Sequence, residues 1–265
     1  MKFGLCADSS IAEAAKAAGF AFIDGTVGDV IMPAASEAEF EDAYAARFAH
    51  AALPLVNLAV LLPGSIRLAG ADATPVAESA AYVANVFRRA AKIGIKHIAF
   101  GSGGARKCPD AWDKQKANAQ IAQFVAAIAP AVKESGVNLG VENLRFAETN
   151  TLNFFAEIAD VLDAAGVAGA DSGIGFLADG YHWNENKDDA SALPCIVGRI
   201  RHTHIATSPS RWAPGEEPTD FAPFARLLKS AGYDGLMAVE AKINDPSPEG
   251  LVRIRKALEA AFNHV

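Results

Sequence analysis

The sequence predicts an α/β fold, a single (β/α)8 TIM barrel, and three observations carry that prediction. Short apolar runs of β type alternate with long alanine-rich stretches of helical periodicity, the pattern of a parallel sheet covered by helices. The runs number eight, and 265 residues give roughly 33 for each, enough for a strand, a helix and their loops. The first run ends in Cys6-Ala-Asp-Ser-Ser, with no glycine-rich phosphate turn of the kind an open nucleotide-binding sheet would want. Gly101-Ser-Gly-Gly104 follows the fourth run and lacks the full dinucleotide spacing. Eight regular units therefore favour closure. No Pro- or Ser-rich linker interrupts residues 1–265, which are read as one domain.

The strands are expected, in order, at Phe3–Ala7, Ala21–Asp24, Leu55–Val60, His97–Gly101, Asn138–Glu142, Ile174–Asp179, Ile200–Ile205 and Leu236–Glu240. The helices between them carry punctuation. Ser10-Ile-Ala-Glu13 reads as a capping box. Thr74-Pro75 places a cap residue before a first-turn proline, and Val76, Ala80, Val83, Phe87 and Ala90 then form one apolar stripe. Gly94 stops that helix just before the fourth strand. Ser247-Pro248-Glu249 opens the last helix in the same way.

Composition removes several function classes. The chain is 51% apolar and 21% charged, which suits a folded core and excludes a disordered or collagen-like chain. A net charge of −7 gives no overall basic footprint for nucleic acid. No apolar run is long enough to span a membrane, and a charge appears too early at the N-terminus for a secretory segment. Cys6, Cys108 and Cys195 are sparse, odd in number and far apart, which fits a reducing, cytoplasmic setting rather than a disulfide scaffold.

In a barrel of this class the chemistry lies at the C-terminal ends of the strands. Glu142 ends the fifth run, Asp179 the sixth and Glu240 the eighth, and His204 lies near the end of the seventh. The intervals of 37, 25 and 36 residues are each about one strand–helix unit, so four consecutive strand tips can converge. Three crowded carboxylates repel one another, and a divalent cation resolves the conflict. Three carboxylates and an imidazole suit Mn²⁺ or Mg²⁺, with Co²⁺ or Zn²⁺ as alternatives. His202 shares a strand face with His204 one layer deeper and reads as a satisfied core histidine. His97 begins its strand, at the stability end of the barrel, and His50 and His264 fall in exposed helical contexts.

Taken in register, these segments resemble the xylose-isomerase-like TIM-barrel superfamily, nearest to the hydroxypyruvate isomerases, ketose 3-epimerases and inosose dehydratases. The matching residues are Glu142, Asp179-Gly-Tyr-His182, His204 and Glu240, with Arg211-Trp-Ala-Pro214-Gly and Asp220-Phe in the loop after strand seven. The resemblance is strongest from Gly136 to Ile243. It implies that Glu142, Asp179, His204 and Glu240 bind one divalent metal and that His182 and Arg211 hold substrate oxygens. It further implies that Glu142 and Glu240 act as an acid/base pair. The family's glutamate facing the second strand is here Asp24, a methylene shorter. Relatives that are dimers or tetramers imply a homo-oligomer.

The expected activity is isomerisation or epimerisation of a small ketose or hydroxy-keto acid through a metal-stabilised enediolate. Arg211 can clamp a carboxylate or oxyanion. Trp183, directly after His182, is expected to line a sugar-facing wall, with Trp112 as a further candidate, while Trp212 beside Arg211 is read as part of a covering loop. The loop Gly101–Asp110, with Arg106 and Lys107, offers amides and two cations to an anionic group. Two alternatives stand beside this reading: a dehydratase of a cyclic polyol ketone, and a non-catalytic sugar-binding barrel. The DNA-repair endonuclease branch needs further histidines on strands two to four, whereas strand three here runs into Leu-Ala-Val-Leu-Leu-Pro63.

Overall fold

The structure, a computed structural model, describes residues 1–262. Eight parallel strands close into a barrel in sequence order, β1 pairing with both β2 and β8. The strands are β1 (Lys2–Cys6), β2 (Phe22–Thr26), β3 (Leu55–Ala59), β4 (His97–Phe100), β5 (Asn138–Glu142), β6 (Ile174–Asp179), β7 (Ile200–Ile205) and β8 (Leu236–Val239). The ranges expected for β5, β6 and β7 coincide with those observed, and the other five differ by one or two residues at an end. One principal helix follows each strand: α1 (Ala12–Ala17), α2 (Glu37–Arg47), α3 (Val76–Lys92), α4 (Lys114–Ser135), α5 (Phe155–Ala164), α6 (Leu193–Ile196), α7 (Ala222–Ser230) and α8 (Pro248–Phe262). Short helical turns at Val27–Val30, Gly103–Arg106 and Gly180–Glu185 leave the tips of β2, β4 and β6.

The caps correct part of the sequence reading. The box expected at Ser10 and Glu13 is not formed, because Asp8 accepts the Ser10 amide at 3.0 Å and Ser10 lies inside a 3₁₀ turn. The box forms instead at α2, where Ser36 and Glu39 satisfy each other's backbone amides. Thr74 accepts from the Arg67 amide, so α3 begins after Pro75 without a side-chain cap. Ser247 does cap α8, accepting the Gly250 amide at 3.1 Å. His50 is exposed in the turn after α2, and His264 lies outside the described residues.

The main apolar core lies between strands and helices, where Leu5, Ile23, Leu58, Phe100, Val141, Phe176 and Met237 are fully buried. Side chains alternate along a strand, so the intervening positions fill the barrel interior. There bulk alternates with absence. A Cβ on Gly4 would meet the Phe22 ring at 2.3 Å, and one on Gly140 would meet Leu177 at 2.9 Å. Beside the apolar Ala59, Ala99 and Leu177, polar side chains share the interior: Asp24, Asn57, His202 and His204 are all buried. The topmost inward positions of β5, β6 and β7 are Glu142, Asp179 and His204, and Glu240 follows β8 directly.

Candidate metal centre

The four strand-end residues converge. Ligand atoms of Glu142, Asp179, His204 and Glu240 all lie within 4.8 Å of one another. His204 Nδ1 stands 3.8 Å from Glu142 Oε1 and 3.6 Å from Glu240 Oε2. That nitrogen is buried and has no hydrogen-bond partner. An orphaned buried nitrogen aimed at three carboxylates fits a divalent cation, since burial without a partner is otherwise costly. Oxygen-rich donors of this kind favour a hard or borderline ion.

The ring of His204 is fixed from its other side. Nε2 lies 3.4 Å from Asp24 Oδ2 and 3.4 Å from Asn57 Nδ2. Asp24 in turn sits 2.6 Å from His202 Nε2 and accepts both the backbone and side-chain amides of Asn57 at 3.2 Å. Asp24 is therefore buried beneath His204 and orients its ring. His202 is the satisfied core histidine that strand periodicity predicts. Two further clusters reuse His204, one with Asp24 and His202, the other with Cys6 and Glu240. The oxygens of Asp24 are already engaged, and burial pushes the Cys6 thiol up to about 12, so it stays protonated. The four-residue set is the better cradle.

Local structure presents each carboxylate. Asp179 caps the turn Gly180–Glu185, its Oδ1 accepting the Tyr181 amide at 2.7 Å and the His182 amide at 3.4 Å. Its Oδ2 is left facing the site, 3.6 Å from His182 Nε2. Asn143 clasps the backbone of Asp179 reciprocally, Oδ1 accepting its N–H at 3.0 Å and Nδ2 donating to its C=O at 3.3 Å. Glu142 needs room beside it: a Cβ on Gly101 would lie 2.1 Å from Glu142 Oε2.

Burial and crowding set the charges. Burial, with Glu240 alongside, raises the Glu142 carboxyl above its ordinary range. Burial lifts Asp179 to about 6 against an opposing pull from Arg211. For Glu240 burial also works upward, but His204 and Arg211 outweigh it and bring the group to about 2. Burial alone would lower His204, yet Cys6, Glu240 and Asp24 together hold it well above the usual histidine range.

Around this centre is a cavity of about 340 Å³, lined on one side by Glu142, Glu148, His182, Arg211 and Glu240. Arg211 bonds to the Glu240 carboxylate and to Glu148 Oε1 at 3.3 Å, and lies 5.0 Å over the Tyr181 ring. His182 is fully buried; its Nδ1 accepts the Arg145 amide at 3.2 Å, and its Nε2 lies 4.0 Å from Glu148 Oε2 without a hydrogen-bond partner. Glu148 thus links Arg145, Arg211 and His182, and sequence reasoning missed it because it sits on a loop with no strand-end signal. Val60, Ser102 and Arg211 all hold left-handed backbone at this rim, with φ of 58°, 41° and 58°. Strain of that kind concentrates at functional sites.

Two sequence expectations are corrected here. Trp183 does not line this cavity: it is buried against Phe224, with ring centroids 5.7 Å apart. One step round the turn from His182, it faces the helix layer. Trp112 and Trp212 are likewise absent from the lining among the described residues, each instead having a lysine over its ring. Arg106 is not available to an anion. It is fully buried, donating to the carbonyls of Phe100 at 3.1 Å and Glu142 at 2.6 Å, and so ties the tips of β4 and β5 together.

Comparison with known proteins agrees with this architecture. The family model described as xylose isomerase-like TIM barrel matches residues 12–261. A putative hydroxypyruvate isomerase from Streptomyces coelicolor is 29% identical over 122 residues, a match covering 45% of this chain and 42% of that relative's length. A crystal structure of D-psicose 3-epimerase in the presence of D-fructose superposes with a TM-score of 0.80 at 18% identity, covering 99% of both chains. The 3-keto-D-glucoside 4-epimerase YcjR from E. coli gives 0.75 at 17%, covering 97% of this chain and 99% of the other. At these identities the two structural matches speak to the fold. The family match spans nearly every strand and helix described above, and the chain belongs to the xylose isomerase-like TIM barrel family.

Proposed function

We propose that this chain is a divalent-metal-dependent isomerase or epimerase of a small ketose or hydroxy-keto acid. The observation that carries the proposal is the buried, partnerless Nδ1 of His204 facing the carboxylates of Glu142, Asp179 and Glu240. Those four residues would hold the ion, Mn²⁺ or Mg²⁺ by the hardness of the donor set. When bound, a divalent cation supplies Lewis acidity that acidifies a C–H between a carbonyl and a hydroxyl.

The remaining work falls to the chain's own residues. Glu142 and Glu240 flank His204 from β5 and β8, so one carboxylate removes the proton from one face and the other returns it. The partnerless His182 Nε2 and the Arg211 guanidinium, the latter bonded to Glu148, would position the substrate's oxygens. Such preorganisation by fixed donors is worth more in a buried site than in water. The names of the matched relatives, a putative hydroxypyruvate isomerase and two sugar epimerases, support the same reading.

Deuterium uptake from D₂O into ketols by the Mn²⁺-loaded protein tests the proposal. Glu142→Gln and Glu240→Gln are each expected to lower exchange at least about a hundredfold, the usual worth of a positioned acid or base. Full exchange in either variant would remove the acid/base pair. A product of unchanged mass identifies isomerisation or epimerisation, and loss of a water identifies dehydration.

A further inference from the structure

A separate cavity, of about 340 Å³, lies in the helix layer and shares no lining residue with the one at the metal centre. Its apolar floor is Trp183 of the turn Gly180–Glu185, Leu193 at the start of α6, and Pro223 and Leu227 of α7. Its rim is charged: Asp188 and Asp189 precede α6, and Arg226 stands on α7 between the two apolar residues. We infer that this cavity is a second binding site, for a small zwitterion with an apolar body, the chemistry of a free amino acid with an aliphatic side chain. Trp183 follows His182, so the occupant rests against the back of the turn that Asp179 caps. The reaction proposed above uses none of the lining residues, so the site is independent of it.

Three features select that ligand. The positive charge is uncommitted: Arg226 is exposed and, among the described residues, makes no hydrogen bond, ion pair or ring contact. It pairs with neither aspartate, so the two signs of charge face the cavity separately, and a guanidinium beside an apolar floor receives a carboxylate. The negative charge belongs to Asp189. Its Oδ1 accepts the Ser191 amide at 2.8 Å, and Ser191 holds its carboxyl below the ordinary range, whereas burial pushes Asp188 the other way. One firm carboxylate thus shares the rim with one guanidinium. A plain amine meets Arg226, a plain acid meets Asp189, and only a molecule with both charges avoids repulsion. The floor supplies the third feature. Trp183 is 7% exposed and its Nε1 has no hydrogen-bond partner, although a buried indole N–H ordinarily has one. Asp188 Oδ2 is likewise buried without a partner. The lining therefore keeps one donor and one acceptor beyond the protein's own bonds, and unpaired groups in a cavity wall point to an occupant.

Saturation-transfer NMR on the full chain in the presence of Mg²⁺ tests this with three probes of one shape. They are L-leucine, isopentylamine, which lacks the carboxylate, and 4-methylpentanoate, which lacks the ammonium. The expected result is saturable transfer to the leucine methyls, with leucine bound more tightly than either analogue. Arg226→Gln should weaken leucine and 4-methylpentanoate about fivefold, the upper worth of an exposed ion pair, and leave isopentylamine unchanged. Asp189→Asn keeps the oxygen that accepts the Ser191 amide and should weaken leucine and isopentylamine alone. Both positions are exposed, so both variants are expected to fold. No transfer to leucine, equal binding of the three probes, or leucine binding indifferent to both substitutions would overturn the site. Sedimentation on the same samples covers the other occupant: a dimer that Arg226→Gln dissociates would assign the cavity to a second copy of the chain and overturn the proposal.

Discussion

Glu142 has its place because its neighbour has no side chain. A Cβ on Gly101 would collide with the Glu142 carboxylate tip rather than with backbone. Gly101→Ala should therefore fold with little change in melting temperature but bind Mn²⁺ about 10–100-fold more weakly, as for other residues that position a ligand. Calorimetry and thermal melting together check both halves. Asp179 carries a pH prediction. Its carboxyl is raised from 3.8 to about 6 by burial, so in the metal-free protein protonation favours the folded state. That stabilisation is full below pH 3.8 and is lost as pH rises through 6. Metal binding needs the carboxylate, so the melting-temperature gain from Mn²⁺ should be small at pH 5 and large at pH 7.5. A gain independent of pH across that window would contradict the assignment. The four converging residues were legible in the sequence because each ends or follows an apolar run one repeat from the next. Trp183 was misplaced because adjacency in sequence to His182 is not adjacency in space on a helical turn. Asp24 was visible, but its role under His204 was not, since two strands had to be brought side by side to reveal it.

The tips of β4, β5 and β6 are held by side-chain-to-backbone contacts that the sequence does not advertise. The Asn143 clasp joins β5 to β6, and the Arg106 guanidinium joins β4 to β5. Asn143 is fully buried, so Asn143→Ala leaves the Asp179 N–H and C=O without their side-chain partner. The expected loss is about 1–3 kcal/mol in urea unfolding, with weaker Mn²⁺ binding as Asp179 drifts. Unchanged stability would mean that the clasp is idle. Arg106 looked like an anion-binding loop cation because charge and glycine content are all that a sequence displays. Its burial follows from the turn Gly103–Arg106, which folds the guanidinium under Glu142. The caps failed and succeeded for local reasons. Ser247 stands directly before α8, whereas Asp8 is two residues ahead of Ser10 and takes its amide first.

At the scale of the molecule, closure is what makes the site. Four of eight strands deliver one metal-capable side chain each to a single point, which an open sheet would spread along its edge. The apolar runs predicted this closure, and the strand ranges agree to within two residues. What the runs did not foretell is the polar part of the barrel interior, where Asp24, Asn57, His202 and His204 lie beside the apolar Phe22 and Leu177. No helix among the described residues is long and apolar enough to cross a membrane. The large apolar layer between strands and helices is independent of the ion, so the chelator-stripped protein should remain folded. That allows the decisive measurement: calorimetric titration of Mn²⁺ into the stripped protein, beside Asp179→Asn. Asparagine keeps the Oδ1 that caps the turn Gly180–Glu185 and removes only the charge that faces the site. The expected result is one ion bound per chain in the wild type and no measurable binding in the variant. A folded wild type that binds no ion, or a variant that binds equally well, would contradict the convergence of Glu142, Asp179, His204 and Glu240 on a single metal.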